Sequence, residues 1–448
     1  MENVKFSDAI KKGNWKTRLS ILISGFGNIT RKQYIKGIMF LAIQVLFWVF
    51  FIRFGIQYIQ DLGTLGTSTL NQVWNEADQI YINTPGDNSM LILLYSIFVI
   101  AIAVVATFLH IVGIKSAYTA QVAIENGGKP KTFKQDLKDL FDKNMHTTML
   151  GLPSVGVLAF TVLPIIFMIC LAFTNFDRNH QPPGNLFTWV GLQNFKDVFY
   201  SNASKSHTFT RILGWTIIWA IFSTFLNYLF GMIVALMINK KGIRLKSVWR
   251  TCFVIAIAVP GFVTLLFMSK LLADMGPVNT LLQNWGLIDS PVKFLTDPLL
   301  AKITVIVVNL WIGIPYTMLI TSGILMNIPA DLYEAARIDG AGPVKQFMKI
   351  TLPYMLAVTT PYLITQFIGN INNFNAIYFL TQGAPLTTDY YQAGKTDLLV
   401  TWLYKLTVTY QDYNLASVIG IITFLVCSII ALATYNVTAT KQKEEMFG

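Results

Sequence analysis

The sequence holds 448 residues, 54% of them hydrophobic and only 13% charged, where soluble domains carry roughly a quarter charged residues. That composition excludes an ordinary soluble domain. Three cysteines without CxxC spacing and four scattered histidines argue against a disulfide framework or a metal centre.

Residues 1–36 are polar and basic and are not expected to be a cleavable signal peptide. Within them, Lys11–Lys36 mixes apolar with basic residues, as a segment lying along a cytoplasmic membrane interface would. Eight apolar blocks follow: Ile38–Phe51, Met90–Ile114, Met149–Phe173, Ile212–Ile238, Cys252–Met268, Ile303–Met326, Tyr354–Leu380 and Leu415–Tyr435. Most reach the roughly 20 residues that cross about 30 Å of hydrocarbon. They must be helical, because lipid offers no partner to a free N–H or C=O. None contains Asp or Glu, and Arg53, just beyond the first, can snorkel to the headgroups. Between the blocks, Asp61–Ser89 reads as a solvated outer cap. Lys115–His146 reads as a basic inner loop with room for short amphipathic helices, and Thr174–Thr210 as a small ordered outer flap. The expected fold is therefore all-α, a polytopic membrane protein with eight transmembrane helices.

With the N-terminus placed inside, 24 of the 34 Lys and Arg residues fall in inner segments, and the loop 58–89 has none. Acids divide 11 inside to 12 outside, so the bias lies in the cations, as the positive-inside rule requires. Both termini are then cytoplasmic. The net charge of +11 faces anionic lipid and calls for no nucleic-acid partner.

One segment between the sixth and seventh blocks is distinctive. It runs Ile328-Pro-Ala-Asp-Leu-Tyr-Glu334-Ala335-Ala336-Arg-Ile-Asp339-Gly340-Ala-Gly342-Pro343 and ends Ile350-Thr-Leu352-Pro353. Pro329 suits a first helical turn. Leu332, Ala335, Ala336 and Ile338 make a compact apolar face, and Gly340-Ala-Gly342-Pro343 breaks the helix. The small alanines let another backbone approach closely. Glu-Ala-Ala, three residues, Gly, nine residues and Ile-x-Leu-Pro resembles the EAA loop of binding-protein-dependent ABC importer permeases. Glu334, Gly340, Ile350, Leu352 and Pro353 all fall in register.

That resemblance implies the type I ABC importer permease fold, with a basic segment at 1–36, two extra N-terminal helices and a basic loop at 37–148, a six-helix core at 149–437 containing the coupling loop 328–353, and a tail at 438–448. It implies that the loop docks on a cytoplasmic ATPase and drives rocking between inward- and outward-facing states. In that role Glu334 would face a basic residue of the ATPase, Asp339 would stabilise the turn and Gly340 would permit it, with Ala335 and Ala336 at the contact. The nearest approach to a Walker A motif, Gly394-Lys395-Thr396, has Asp389 where the first glycine belongs. ATP and magnesium are therefore expected on a separate subunit, with no cofactor and no catalytic residue in this chain.

The likeness runs from about Leu152 to the C-terminus. Asn309-Leu-Trp-Ile-Gly-Ile-Pro-Tyr316, Gln366-Phe-Ile-Gly-Asn-Ile-Asn-Asn-Phe374 and Thr396-Asp-Leu-Leu-Val400 resemble MalF-like permease subunits of maltose/maltodextrin importers, and the basic N-terminus is similar to Gram-positive versions. In such subunits the large outer insertion between the third and fourth helices is a folded domain; here that loop is about 37 residues. The resemblance implies four kinds of partner: a second, MalG-like permease subunit, two ATPase subunits, an extracellular sugar-binding lipoprotein and an oligosaccharide. It also implies a sugar site at Gly313, Tyr316, Gln366, Gly369, Asn370 and Asn373. Gln366 replaces a serine of that pattern, Gly369 a phenylalanine, and Ile257 a sugar-contacting tyrosine.

The residues speak independently of the likeness. Gln366, Asn370, Asn372, Asn373 and Asn375 place five amides in ten residues of an apolar block, costly unless paired or wet. Residues 366, 370 and 373 fall at i, i+4 and i+7 and share one helical face. Such amides suit either a pathway for a polar, uncharged substrate or hydrogen bonding between helices. An oligosaccharide of galacto- or raffinose type is an alternative cargo. A membrane enzyme would be expected to show an intramembrane acid, His or metal cluster, and an ion-coupled transporter a carboxylate or a discontinuous helix pair; the blocks show none of these, which tells against both.

Overall fold

In a computed structural model of the protein, residues 5–76, 79–240 and 242–447 are described. Residues 1–4 of the basic N-terminal segment, 77 and 78 of the outer cap, Lys241 of an inner basic segment and Gly448 of the tail lie outside them. The chain divides into two compact units, Met1–Gly191 and Leu192–Gly448.

The first unit opens with three short helices, α1 (Phe6–Lys11), α2 (Trp15–Leu19) and α3 (Phe26–Ile29). Two long apolar helices follow, α4 (Tyr34–Asp61) and α5 (Ser89–Glu125). α5 has 37 residues, about 55 Å at 1.5 Å each, nearly twice the hydrocarbon thickness. Its C-terminal part therefore extends past a bilayer, and α1–α3 pack against it. A polar knot fixes them there. Arg31, nearly buried, donates to Gly27 O at 2.8 Å, to Asn14 Oδ1 and Thr17 Oγ1 at 2.8 Å each, and to Gln121 Oε1 at 3.4 Å. Burial pulls the Arg31 pKa down, while the nearby charge of Glu125 opposes that shift. The expected interfacial segment is thus a folded hook. Its apex, Ile21, Leu22 and Ile23, stays exposed.

The outer cap contains a feature that the all-α expectation lacks. β1 (Asn71–Asn75) and β2 (Ile80–Thr84) pair antiparallel with Trp74 opposite Tyr81, their rings edge to face at 5.0 Å. The basic inner loop forms α6 (Phe133–Phe141), started by a Thr132/Gln135 capping box. Lys36 pairs with Asp136 and anchors that loop to the start of α4. α7 (Met145–Leu171) closes the unit; only 6% of its apolar window is buried, so nearly all its surface is suited to face lipid.

The second unit is built on α8 (Ala203–Asn239), α9 (Lys246–Ala258), α10 (Gly261–Leu271), α11 (Pro298–Leu325), α12 (Ala330–Ile338), α13 (Leu352–Ile371), α14 (Phe374–Leu380) and α15 (Tyr413–Phe447). The long α8 lies against both α11 and α13. At their contact sit the buried clusters Trp215, Trp219, Val305, Val308, Ala376 and Ile377, and Tyr228, Met232, Met355 and Leu363.

Two blocks differ from their sequence reading. The fifth block is no single helix: α9 and α10 meet at 87°, because Pro260 lacks the N–H that would continue the ladder and pushes Val259 to extended backbone (φ −78°, ψ 125°). The seventh stops at Ile371, and Asn373 (φ −76°, ψ 86°) starts a separate helix. Among the described residues, six helices are long and apolar enough to cross a membrane, or seven if the bent pair is one span. The expected eight is not reached on that measure, since α13 carries the amides and threonines that lower its apolar content. The tail expected from residue 438 continues α15 as helix to Phe447.

Candidate functional site

The amides of the seventh block do meet other polar groups. Facing turns of α8, α11 and α13 enclose a cavity of about 160 Å³. Ser223, Thr224 and Asn227 come from α8, and Asn309, Gly313, Tyr316 and Thr317 from α11. Tyr362, Leu363, Gln366 and Asn370 come from α13, with Asn373 just beyond it. No lining side chain is charged. The surface offers hydroxyls and amides, which both donate and accept.

Of the six residues expected at this site, five line the cavity: Gly313, Tyr316, Gln366, Asn370 and Asn373. Gly369 does not line it, and a side chain there would meet open space. Ile257 lies on α9, half-exposed and outside the lining. The shared helical face inferred for 366, 370 and 373 is also corrected, because residue 373 has left the helix. It still reaches the cavity, since the break keeps its side chain on that side.

The asparagines have structural duties as well. Asn370 Nδ2 donates to Thr224 Oγ1 at 2.9 Å, and the Asn370 carbonyl accepts from Trp219 Nε1 at 3.0 Å. Asn373 Oδ1 accepts from the Ala376 N–H at 3.2 Å, capping α14. Asn372 turns elsewhere, donating to Ile368 O at 3.2 Å, and Asn375 is exposed. Some of these bonds therefore tie helices together, and Gln366, Asn370 and Asn373 also line the cavity.

The α8 wall was missed by sequence reasoning. Asn227 and Ser223 are buried, yet Asn227 Oδ1 and Ser223 Oγ have no hydrogen-bond partner. Hydroxyl and amide residues at 223, 224 and 227, within one turn of an otherwise apolar helix, were the available signal.

The Glu-Ala-Ala segment folds as α12, a helix from Ala330 to Ile338 behind Pro329. Glu334, Ala335, Asp339 and Gly340 are exposed and Ala336 is half-exposed. Asp339 is the C-cap, its N–H donating to Ala335 O at 3.0 Å, and Gly340 takes φ +73°. That left-handed backbone closes the turn, with the Ala341 N–H reaching Ala336 O at 2.8 Å. Leu332, Ile338 and Val344 stand exposed around it, Ile338 at 86%. These exposed apolar residues lie on and beside a helix outside the apolar spans. Tyr333 and Thr351 share a hydrogen bond of 2.9 Å, tying α12 to the turn that leads into α13.

Other candidates carry less chemistry. A groove of about 370 Å³ in the first unit is lined largely by apolar residues, including Ile21, Leu22, Phe40, Phe47 and Trp48. His110 sits beside it, its Nε2 3.0 Å from Ile21 O. Gly394-Lys395-Thr396 forms part of a loop brace. The Gly394 N–H donates to Asp397 Oδ2 at 2.7 Å, and Thr396 Oγ1 donates to Ala384 O at 2.6 Å. Among the described residues no cluster of His, Cys, Asp or Glu could hold a metal.

Residues 227–443 match the family described as binding-protein-dependent transport system inner membrane component. The galactooligosaccharides transport system permease protein GanP of Bacillus subtilis is 34% identical over 95% of this chain and 97% of its own length. The maltodextrin transport system permease protein MalC of Streptococcus pneumoniae is 35% identical over 93% of this chain and 94% of its own length. Among solved structures, a chain of a bacterial ABC transporter involved in the import of the acidic polysaccharide alginate superposes with a TM-score of 0.53 at 22% identity. It covers 68% of this chain and 99% of that one, a likeness of fold. With its apolar spans, its exposed Glu-Ala-Ala helix and relatives matched along nearly their whole length, the chain belongs to the binding-protein-dependent transport system inner membrane components, as a multi-pass ABC transporter permease.

Proposed function

We propose that this permease carries a neutral oligosaccharide of the maltodextrin type, and that the cavity between α8, α11 and α13 is its contribution to the pathway. The observation that supports this most is the lining: amides, hydroxyls and tyrosines with no charged side chain. Such a surface matches sugar hydroxyls and offers a carboxylate no counter-charge. The fold neighbour that imports an acidic polysaccharide is therefore no guide to cargo. The maltodextrin permease MalC supports the maltodextrin assignment. A galacto-oligosaccharide is the second reading, favoured by the likeness to GanP.

The remaining assembly follows from the family likeness. A second, MalG-like permease subunit would complete the pathway, and two ATPase subunits would bind ATP and magnesium. An extracellular sugar-binding lipoprotein would deliver the cargo. α12 would be the coupling helix, with Glu334, Ala335, Ala336, Asp339 and Gly340 at the ATPase contact and both termini on its side of the cell membrane. The six helices of 149–437 would form the transporting core.

The test is ATP-dependent uptake into vesicles by the complete reconstituted complex with its binding protein. The panel is maltose, maltotriose, galactotriose, raffinose and an alginate trisaccharide. Uptake of the maltodextrins is expected. Uptake of galactotriose alone transfers the assignment to the second reading, and uptake of the alginate trisaccharide alone refutes a neutral cargo.

A further inference from the structure

Asn227 lies in the middle of a membrane helix and is 8% exposed. Its amide orientation in this structure is set by a single hydrogen bond. Nδ2 donates to Ser223 O at 2.7 Å, which leaves Oδ1 as the outer atom, buried and without a donor. One turn away, Ser223 Oγ is buried and unpaired too. Polar atoms buried in this way are rare because each forfeits its bond to water without replacement.

The facing helix is shaped around this amide. A Cβ at Gly313 would lie 2.5 Å from Asn227 Oδ1 and 2.6 Å from Cγ and Nδ2. All three contacts are below any real Cβ separation, so only glycine leaves room. One turn on, Thr317 Oγ1 donates to the Asn227 carbonyl at 3.0 Å and to Gly313 O at 2.7 Å, fixing the two backbones against each other. α8 and α11 are thus held at a distance at which the amide fills the Gly313 notch while its residue borders the cavity.

We propose that Asn227, seated in the notch left by Gly313 and flanked by Ser223, accepts a hydroxyl hydrogen bond from the transported ligand. This rests on the reading of the cavity as a pathway for a neutral oligosaccharide. It assigns the ligand-facing role on this wall to Asn227 and makes Gly313 a positioning residue. Rotating the amide about χ2 turns Oδ1 toward the space that Asn227 already lines. An orphan acceptor selects a donor, so a hydroxyl satisfies it and a carboxylate cannot.

The experiment uses the complete reconstituted complex and maltotriose, or galactotriose if the panel selects it. Asn227→Leu replaces the amide by an apolar side chain of similar size. Uptake at sub-saturating sugar is expected to fall about tenfold, with recovery of the assembled complex unchanged. Gly313→Ala alone is expected to fall as far, yet to add less than about twofold on an Asn227→Ala background, where the notch is no longer occupied. Uptake by Asn227→Leu within about twofold of wild type overturns the proposal. So does a Gly313→Ala cost that persists on Asn227→Ala, which would place the sugar on Gly313 itself. A wild-type complex that carries no panel sugar overturns the oligosaccharide reading and this inference with it, an outcome distinct from the other two.

Discussion

Asp397 is fully buried, and Lys405 Nζ lies 2.5 Å from its Oδ2 with the Lys405 side chain 14% exposed. Burial pushes the Asp397 carboxyl up from its ordinary value and Lys405 pulls it back. The pair braces the loop between α14 and α15, because Oδ2 also receives the Gly394 N–H at 2.7 Å. Asp397→Asn keeps the shape and that backbone bond but strands an ammonium group. Breaking a buried pair from one side costs about 3–5 kcal/mol. The lower end applies here, since Lys405 can reach water, and about 3 kcal/mol corresponds to roughly a hundredfold easier opening of the loop. Hydrogen exchange of the purified complex in nanodiscs reads this as lost protection of the Gly394 amide and its neighbours. Asp397→Asn with Lys405→Met, which removes both charges, is expected to recover most of the protection. Protection unchanged in the single variant, or no recovery in the double, refutes the brace.

Gly340→Ala forces a Cβ into the left-handed region at φ +73° with nothing near it to clash, so the cost is the backbone term alone, about 1–2 kcal/mol. ATP hydrolysis is expected to persist while uptake per ATP falls, and full coupling in vesicles would argue against the turn's role. At Asn373, loss of the cap in Asn373→Ala is expected to cost about 1 kcal/mol in thermal unfolding, and Asn373→Ser to retain it. Uptake that stays low in Asn373→Ser then separates sugar contact from capping. Asp87 in the outer cap is held below its ordinary value of 3.8 first by the Ser68 N–H and then by the Thr67 N–H. A depressed folded pKa gives stability that is full above the ordinary value and lost as pH falls through the depressed one. The exchange protection of Thr67 and Ser68 should therefore hold from pH 8 to 5 and decline only below about 4. An earlier decline, or the same profile in Asp87→Asn, would count against it.

How much of this was legible in the sequence depended on which physical signal was dominant. Spans such as α5 and α7 are long uninterrupted apolar runs, and length against hydrocarbon thickness identifies them. The turn after α12 was legible because Gly340 and Gly342-Pro343 are residues whose backbone needs are unusual. The bend between α9 and α10 was hidden: Pro260 lies inside a block that is apolar on both sides, and hydropathy is blind to a missing N–H. The break before α14 was hidden for a related reason. Asn373 competes for the backbone as a cap, while Phe374–Leu380 continues the apolar run. At the site, Gln366, Asn370 and Asn373 were found because five amides cluster within ten residues. Asn227 and Ser223 were not, because their meaning lies in the opposite helix, where Gly313 makes the room.

The second unit joins these features along one continuous path. A helical turn at Pro343–Gln346 and a π-helical turn at Phe347–Thr351 run without a break into α13. From Pro343 to Ile371 the rod is about 43 Å long at 1.5 Å per residue. Its lower end is tied to α12 through Tyr333 and Thr351, and its middle to α8 through a buried hydrogen bond of 2.7 Å between Tyr228 and Thr359. Its upper end carries Gln366 and Asn370 on the cavity wall. Its packed contacts resist sliding, while the π-helical turn and Pro361 are where it can bend. A displacement of α12 would therefore reach the cavity through this tied helix, with those two positions and the break at Asn372–Asn373 absorbing the mismatch to α14. Asn373 at that break serves two ends at once: it caps the next helix and borders the cavity that Gln366 and Asn370 line.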